Sequence, residues 1–530
     1  MDRFKTEVID LNDPAISIAE IFASHAQSGN ISLPLEKTIH HLVALSAKTA
    51  LIQFEVSDPD FEAEYDLYYV RWTYKVERRC VRIHFFSDEV KEDKPLKVID
   101  ELYELSRQSN NYLGFVTLRP IQRSEQGATI LRPHLHPEGS SFVVSKDRFE
   151  VNIAGRKFVV TGTPFLQQDN AVGACAQASI WMALRTLRRK IGQNAYSPAA
   201  ITEAATRFGT SGRTLPNRSG LSISQIIEAV RQSGYSPHSF ALKSHPHDRP
   251  NAAELAIMRL KIYPYIESGI PVLLGLSPKN QEGHAVLVIG HDWDKNVDQY
   301  MHIDTRGPKG PPNWVSSAGL GELDLVDASS WINHIYIHND NTGPYQPLFN
   351  SSTGGYSLSD ALVAIPFLHK DILMDAEEAQ LACYTILLSC LSKDHKEQLP
   401  RLVFRVYLQT RSEFRESVIE SKLHDQAKEY YRLKWLPKRV WVAEINEFKD
   451  YENAPDGKAV KLGEILLDPS SDPADGHFLA VRLSKELLNL GGEEARYDVG
   501  VMIDRDPFDG TITGKRILSG TCDPIARGTS

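Results

Sequence analysis

The sequence has few cysteines and no long apolar run. Its 530 residues include five cysteines without Cys-x-x-Cys spacing, namely Cys80, Cys175, Cys383, Cys390 and Cys522. A sparse, odd set of this kind is not typical of a disulfide framework or a structural zinc site, and it favours a reducing, cytoplasmic compartment. No segment approaches about 18 uninterrupted apolar residues, and the first residues lack an apolar stretch of signal-peptide length. We therefore expect no transmembrane helix and no membrane partner.

The composition is otherwise ordinary for a soluble globular protein. Hydrophobic residues make up 42% and charged residues 24% of the chain, so cores can form without disulfides or metal ions. The 59 Lys and Arg against 68 Asp and Glu give a formal net charge of −9. This mild acidity gives no drive toward nucleic acid or an anionic membrane, and we expect neither as a partner.

Length and patterning divide the chain into three regions. At about 100–200 residues per domain the chain fits roughly three domains, which we place at 1–150, 151–345 and 346–530. The first region contains strand-like runs, at 68–72, 80–86 and 112–118. The third contains an apolar helix candidate and two strand candidates, at 374–392, 439–445 and 461–467. We expect an α+β protein in which two α+β domains flank a central domain that carries the chemistry.

A helix with a cysteine at its start is predicted in the central region. Residues 164–187 read PFLQQDNAVGACAQASIWMALRTL, and a polar, glycine-containing stretch leads into Cys175. Apolar residues then recur at helical spacing, at Ile180, Trp181, Leu184 and Leu187. The dipole and free amides of the first turn stabilise a thiolate, and with a nearby side-chain amide they can hold an oxyanion. A lone cysteine is more often a buried structural residue, so its partners decide the interpretation.

A base and a group that orients it are predicted in residues 269–305, which read GIPVLLGLSPKNQEGHAVLVIGHDWDKNVDQYMHIDT. The segment contains three strand-like runs, at 271–276, 284–290 and 300–304. We expect a meander in which His284 begins one strand and Asp304 ends the next, because antiparallel pairing puts the start of a strand beside the end of its neighbour. Gly283 permits close backbone approach beside His284, and we expect Gly283 and Gln167 to contact the substrate. An imidazole that is held by a carboxylate and faces a thiol can activate that thiol.

The order Cys, His, Asp lies within motifs that resemble a known superfamily. QxxxxxxCxxAS…LxxL, SGIPVLLGL and GHAVLVIGHDWD…HIDT resemble the papain-like cysteine peptidases, and among them the bacteriocin-processing (double-glycine) peptidases and related bacterial domains. The resemblance covers roughly residues 155–310. It implies a Cys-bearing helix packed on an antiparallel sheet, with Cys175 as nucleophile, His284 as general base and acid, and Asp304 as orienter. It also implies Gln168 as oxyanion donor, or Gln167 should the register differ by one.

By this resemblance the protein hydrolyses peptide bonds through a Cys175 acyl-enzyme, takes a protein or peptide as substrate, and uses no cofactor or metal ion. Two alternatives stay open. The same triad serves acyl transfer or deamidation of the transglutaminase type, and the fold can also serve as a non-catalytic protein-binding module. In each case the large flanking regions favour contacts with a protein partner.

Overall fold

The computed structural model describes all residues except 1–5, 28, 91–93, 135–140, 170–174, 192–195, 209–219, 246–247, 279–281, 298–299, 304–314, 317–322, 353, 392–398, 400, 454–460, 472–477, 485–486, 488–498, 506–511 and 519–530. In the described part the chain is α+β and forms three largely antiparallel sheets. Among the described helices, none is both long and apolar enough to cross a membrane.

The N-terminal stretch builds the first sheet. Its strands are β1 Thr6–Asp10, β2 Thr49–Val56, β3 Cys80–Phe86, β4 Tyr112–Leu118, β5 Gln126–Leu131, β6 Ser141–Val143, β7 Asp147–Ile153 and β8 Arg156–Phe165. Its helices are α1 Pro14–His25, α2 Leu33–Ala44, α3 Pro59–Leu67 and α4 Pro95–Ser106. The sheet order is β1-β2-β3-β4-β5-β8-β7, with α1 and α2 packed on one face and α4 on the other. Proline begins three of these helices, where its missing N–H costs nothing.

The middle of the chain builds the central sheet. Its helices are α5 Cys175–Ile191, α6 Pro198–Ala205, α7 Ile223–Gln232 and α8 Ala252–Glu267. Its strands are β9 Tyr235–Pro237, β10 Phe240–Ala241, β11 Val272–Leu276, β12 His284–Asp292, β13 His302–Ile303, β14 Val315–Ser316, β15 Leu325–Asp327, β16 Ile335–Asn339, β17 Gly343–Leu348 and β18 Ala361–His369. The central sheet has the order β10-β18-β11-β12-β16-β17, while β6 pairs with β12 and β9 with β18.

The C-terminal stretch completes the third sheet. Its helices are α9 Ala376–Cys390, α10 Arg411–Glu420, α11 Asp425–Leu433 and α12 Phe448–Asn453. Its strands are β19 Leu402–Thr410, β20 Arg439–Glu447, β21 Lys461–Leu467, β22 Phe478–Ser484, β23 Val499–Arg505 and β24 Ile512–Leu518. The order is β14-β13-β15-β19-β20-β21-β22-β23-β24, with β15 and β19 parallel.

Strand β12 lies inside the central sheet and is covered on both faces. Ala285, Leu287 and Ile289 pack with α5, α6 and α7. Val286 and Val288 pack with α8 and with strands of the third sheet. The alternation is the period of two that a strand imposes on its side chains. Because both faces are buried, the strand reads as a continuous apolar run in the sequence.

Most of the elements expected from the sequence are present, but one is wrong. β3, β4, α9, β20 and β21 occupy the expected positions. The run at 68–72 forms a 3-10 helix at Tyr69–Arg71 rather than a strand. Its aromatic residues pack locally instead of in a sheet. Buried Tyr69 contacts Phe61 of α3, and the rings of Tyr69 and Trp72 meet edge-on with centroids 4.6 Å apart. Aromatic residues favour strands only where a pleated surface is there to receive them.

The sheets cross the domain limits expected from the sequence. The limit at residue 150 falls within β7 of the first sheet, and the limit at 345 falls within β17 of the central sheet. β6, from the expected first domain, pairs with β12 of the central sheet. β13, β14 and β15, from the expected central domain, belong to the third sheet. The regions are thus interleaved through their sheets.

A buried ionic network joins the central sheet to the third sheet. Glu267, at the end of α8, accepts from His291 Nε2 of β12 at 2.6 Å and from Arg405 Nη2 of β19 at 2.5 Å. Arg405 also donates to Glu444 of β20 at 3.0 Å. These side chains are at most 4% exposed. Although burial alone would raise the pKa of Glu267, Arg405 and His291 hold it well below its ordinary value, so the carboxylate stays charged.

The network continues along the third sheet with alternating charge. Lys461 lies 3.4 Å from Glu444 and 3.2 Å from Glu464, and Arg482 donates to Glu464 at 2.5 and 2.6 Å. Three carboxylates therefore face three cations in the protein interior. A buried pair tolerates desolvation only while each charge keeps its partner, so the network fixes how the two sheets meet.

We expect Arg405→Met to destabilise the protein by about 3–5 kcal/mol, because it removes the arginine that pairs with buried Glu267 and one of the two cations that contact buried Glu444. The measurement is the denaturant midpoint followed by near-UV circular dichroism. Arg107→Met is the control, since Arg107 pairs with Glu104 at 3.4 Å where both side chains are more than half exposed, and such pairs contribute about 0–1 kcal/mol. Equal midpoints for the two variants would contradict the assigned role of the network.

Candidate active site

Cys175 is the first residue of α5, and its thiol lies against strand β12. The helix packs on the sheet through an apolar face that includes Ile180, Trp181 and Leu184. Cys175 Sγ accepts a hydrogen bond from the backbone N–H of Ala285 at 3.2 Å. The expected position of Cys175 at the start of a buried helix is therefore observed.

His284 begins β12, and its ring is held by residues at the end of β16. His284 Nε2 lies 2.9 Å from Asn339 Oδ1 and 3.6 Å from Asp340 Oδ1. Asn339 Oδ1 also accepts from the backbone N–H of Asn341 at 3.0 Å, which identifies that atom as the amide oxygen. Nε2 must then carry the proton. In the neutral ring this leaves Nδ1 as the proton acceptor.

The predicted meander is confirmed for β11 and β12, which pair antiparallel, and wrong for the third strand, while Asp304 itself lies outside the described residues. β12 pairs with β11, β16 and β6, whereas β13, which Asp304 was expected to end, pairs with β14 and β15 in the third sheet. The buried side chain of Ile303 packs in the core shared with that sheet. The antiparallel rule still holds with another strand, because the end of β16 brings Asn339 beside the start of β12.

The two glutamines before Cys175 differ in their surroundings. Gln167 is buried, and its side-chain amide accepts from Gln126 N at 3.0 Å and donates to Arg123 O at 3.2 Å. Gln167 is thereby committed to the first sheet. Gln168 is half-buried in the segment that leads toward the helix. Since the Gln167 amide is held there, the oxyanion role expected of one of the two glutamines stays a prediction for Gln168.

Burial governs the charge of the site. Desolvation, together with the charge of Asp340, raises the pKa of Cys175 to about 12. The backbone amides of Ala285, Ala176 and Cys175 act in the opposite direction and lower this pKa, but their effect is smaller. Desolvation also lowers the pKa of His284, although the Asn339 hydrogen bond raises it. The resting pair is therefore a neutral thiol and a neutral imidazole, rather than the thiolate expected from the start of the helix. Although both side chains are described, no hydrogen bond joins them.

Asp340 and Tyr356 also contact the histidine. Asp340 is fully buried, and neither carboxyl oxygen has a hydrogen-bond partner among the described residues. Desolvation raises its pKa to about 8, so the carboxyl is neutral at neutral pH. The Tyr356 ring stacks on His284 with centroids 4.6 Å apart and planes at 20°. Sequence reasoning missed these residues and Asn339, although the alternating run Ile335–Asn339 followed by Asp340 gives the same strand-end signal as 300–304.

Cys175 and His284 line one cavity of about 600 Å³. Gly283 lies at its exposed mouth beside Glu282. The rest of the wall is mainly apolar, from Ala176, Leu221, Ile223, Ile226, Leu273, Leu276, Ala285, Leu362 and Val363. Across the described residues, no group of three or more His, Cys, Asp or Glu side chains is placed to hold a metal ion.

Comparison with known proteins leaves the family open. No protein-family model matches the chain, and no curated protein matches it significantly. The papain-like resemblance therefore depends on the motifs quoted above.

We expect iodoacetamide to modify Cys175 well before Cys80 and Cys383, because Cys175 opens to the cavity while the others are 1% and 0% exposed. Modified sites are read by peptide mass spectrometry after brief treatment. Earlier modification of Cys80 would contradict the assigned accessibility.

Because the pKa of Cys175 is raised to about 12, the thiolate fraction in His284→Ala should rise about tenfold per pH unit between pH 7 and 9.

Proposed function

We propose that the protein is a cysteine peptidase that cuts peptide bonds through a Cys175 acyl-enzyme. The observation that carries the proposal is that the Cys175 thiol shares one cavity with His284, whose Nε2 is held by Asn339. A nucleophile, a base and a group that fixes the tautomer of the base are the parts that acyl transfer to a thiol requires, and asparagine is one of the orienting groups used for it. The motif resemblance of residues 155–310 supports the same assignment.

In this mechanism His284 performs the proton transfers. Nδ1 accepts the thiol proton as Cys175 Sγ bonds to the substrate carbonyl carbon, and the carbonyl π electrons move to oxygen. The Gln168 amide and the backbone N–H of Cys175 stabilise the oxyanion. Collapse breaks the C–N bond, and His284 gives its proton to the leaving amine. Water, deprotonated by His284, then hydrolyses the thioester and frees the thiol.

The cavity favours a peptide with a large apolar side chain near the scissile bond. Leu221 and Ile226, beside and within α7, line the cavity together with Leu276 of β11 and Leu362 of β18. Burying a leucine-sized side chain contributes about 1.5–3 kcal/mol to binding. The exposed carboxylate of Glu282 at the mouth opposes acidic residues there.

The test is cleavage of a peptide library by the full-length chain, with product masses measured. We expect cleavage next to large aliphatic or aromatic residues. Cys175→Ala and His284→Ala should each reduce turnover to near background, because each removes a member of a unit that acts together. Cys390→Ala, on α9 and outside the cavity, is the control and should cleave normally.

Other products would replace the proposal. Joining of the acyl group to an added amine would assign acyl transfer, and conversion of glutamine to glutamate would assign deamidation. Intact peptides that bind equally well to the wild type and to Cys175→Ala would assign a non-catalytic binding module.

The orienting residue can be tested separately. We expect Asn339→Ala to lower kcat by about 100-fold, because the ring loses the acceptor that holds the proton on Nε2. Asp304→Ala, at the position first expected from the sequence, is the matched variant and should have a much smaller effect. Both are measured as kcat and KM on the best library peptide. A large loss in Asp304→Ala with normal Asn339→Ala would reassign the orienter to Asp304.

A further inference from the structure

The loop between β4 and β5 grips the segment that leads to Cys175. Gln167 donates its backbone N–H to Gln126 O at 3.1 Å and accepts Gln126 N–H on Oε1 at 3.0 Å. Its Nε2 donates to Arg123 O at 3.2 Å, and its carbonyl oxygen accepts from Arg119 at 2.8 Å. All four polar groups of Gln167 are thus bound by residues 119–126 of the first sheet, and the next residue is Gln168.

Arg119 is the centre of this contact. Its side chain is 2% exposed, and Nη2 donates to Ser124 O and to Gln167 O at 2.8 Å each. Nη1 lies 3.4 Å from Glu64 of α3. The stem of Arg119 passes over Gly127, where an added Cβ would lie 2.8 Å from Arg119 Cγ. One planar guanidinium therefore ties the loop, α3 and the pre-helix segment together.

We propose that Arg119 is a positioning residue for the reaction, which fixes the backbone at Gln167 and thereby places the Gln168 amide for the oxyanion. The proposal rests on the proposed peptidase function. It gives the first sheet a role in catalysis, because the loop that carries Arg119 belongs to that sheet and lies outside the papain-like motifs. An oxyanion donor acts only where charge develops in the transition state, so its placement affects kcat more than KM.

The test compares two reactions of Cys175 in Arg119→Met. Peptide hydrolysis passes through an oxyanion and needs the placed amide. Alkylation by iodoacetamide does not, because Sγ bonds to the methylene carbon as iodide leaves and the thiol proton passes to His284. We expect kcat to fall about 100-fold, the cost of a misplacement of the order of 1 Å, with KM little changed. The alkylation rate should stay within about twofold of wild type.

Two further variants keep the test decisive. Gln167→Met removes both side-chain bonds of Gln167 from the other side of the contact and should give the same split between hydrolysis and alkylation. Arg82→Met is the control, since Arg82 pairs with Asp58 at 3.3 Å and Thr117 at 3.1 Å, without contact to residues 166–169 among its described partners. It should leave both rates near wild type.

Three outcomes would overturn the proposal. If hydrolysis is normal in both Arg119→Met and Gln167→Met, the loop does not position the site. If hydrolysis and alkylation fall together in both, with a loss of near-UV circular dichroism, the contact serves folding alone. A wild type that is alkylated at Cys175 but cleaves no peptide would refute the proposed function, and this role with it.

Discussion

The site depends on one residue, Ala285, whose two backbone polar groups fasten the cysteine helix to the histidine strand. Its N–H donates to Cys175 Sγ at 3.2 Å, and its carbonyl accepts from Ser179 Oγ, one turn along α5, at 3.2 Å. A buried backbone group needs a partner, so the helix cannot slide along the strand without breaking one of the two bonds. The neighbour of Ala285 in sequence is His284. The contact that anchors the helix therefore also holds the Cys175 thiol and the His284 imidazole in the same cavity.

Burial then decides how such a pair can react. Moving the thiol proton to His284 creates two charges in a poorly solvated place, and the site must compensate for them. Asn339 accepts from Nε2 whether the ring is neutral or protonated. Asp340 would stabilise an imidazolium if ionised, but its charge raises the pKa of Cys175. A carboxyl that burial keeps neutral, with a pKa of about 8, avoids that opposition at neutral pH while leaving a polar group 3.6 Å from Nε2.

Local patterns in the sequence predicted local structure well. The Ser222–Gln225 spacing predicts a capping box, and both of its hydrogen bonds are present at the start of α7. Helical spacing after Cys175 and the apolar run after His284 likewise correspond to α5 and β12. The residue that orients His284 could not be predicted in the same way. Two similar strand ends, 300–304 and 335–340, were candidates, and long-range packing decides which of them lies beside His284. That choice was made by packing of Ile303 with the third sheet, and a single sequence carries no local sign of which sheet a two-residue strand will join.

Both flanking regions contact strand β12 or the segment before α5, and this bears on what they are for. His284 begins β12, and His291 near its other end hydrogen-bonds Glu267 in the network that runs into the third sheet. From the N-terminal region, β6 pairs with the last residues of β12, and Arg119 holds Gln167. A flank attached only to recruit partners would need no buried charges where it joins the central sheet. Desolvating ions is costly, and a domain joined through an ordinary surface contact does not incur that cost. The buried junctions therefore favour flanks that build the site.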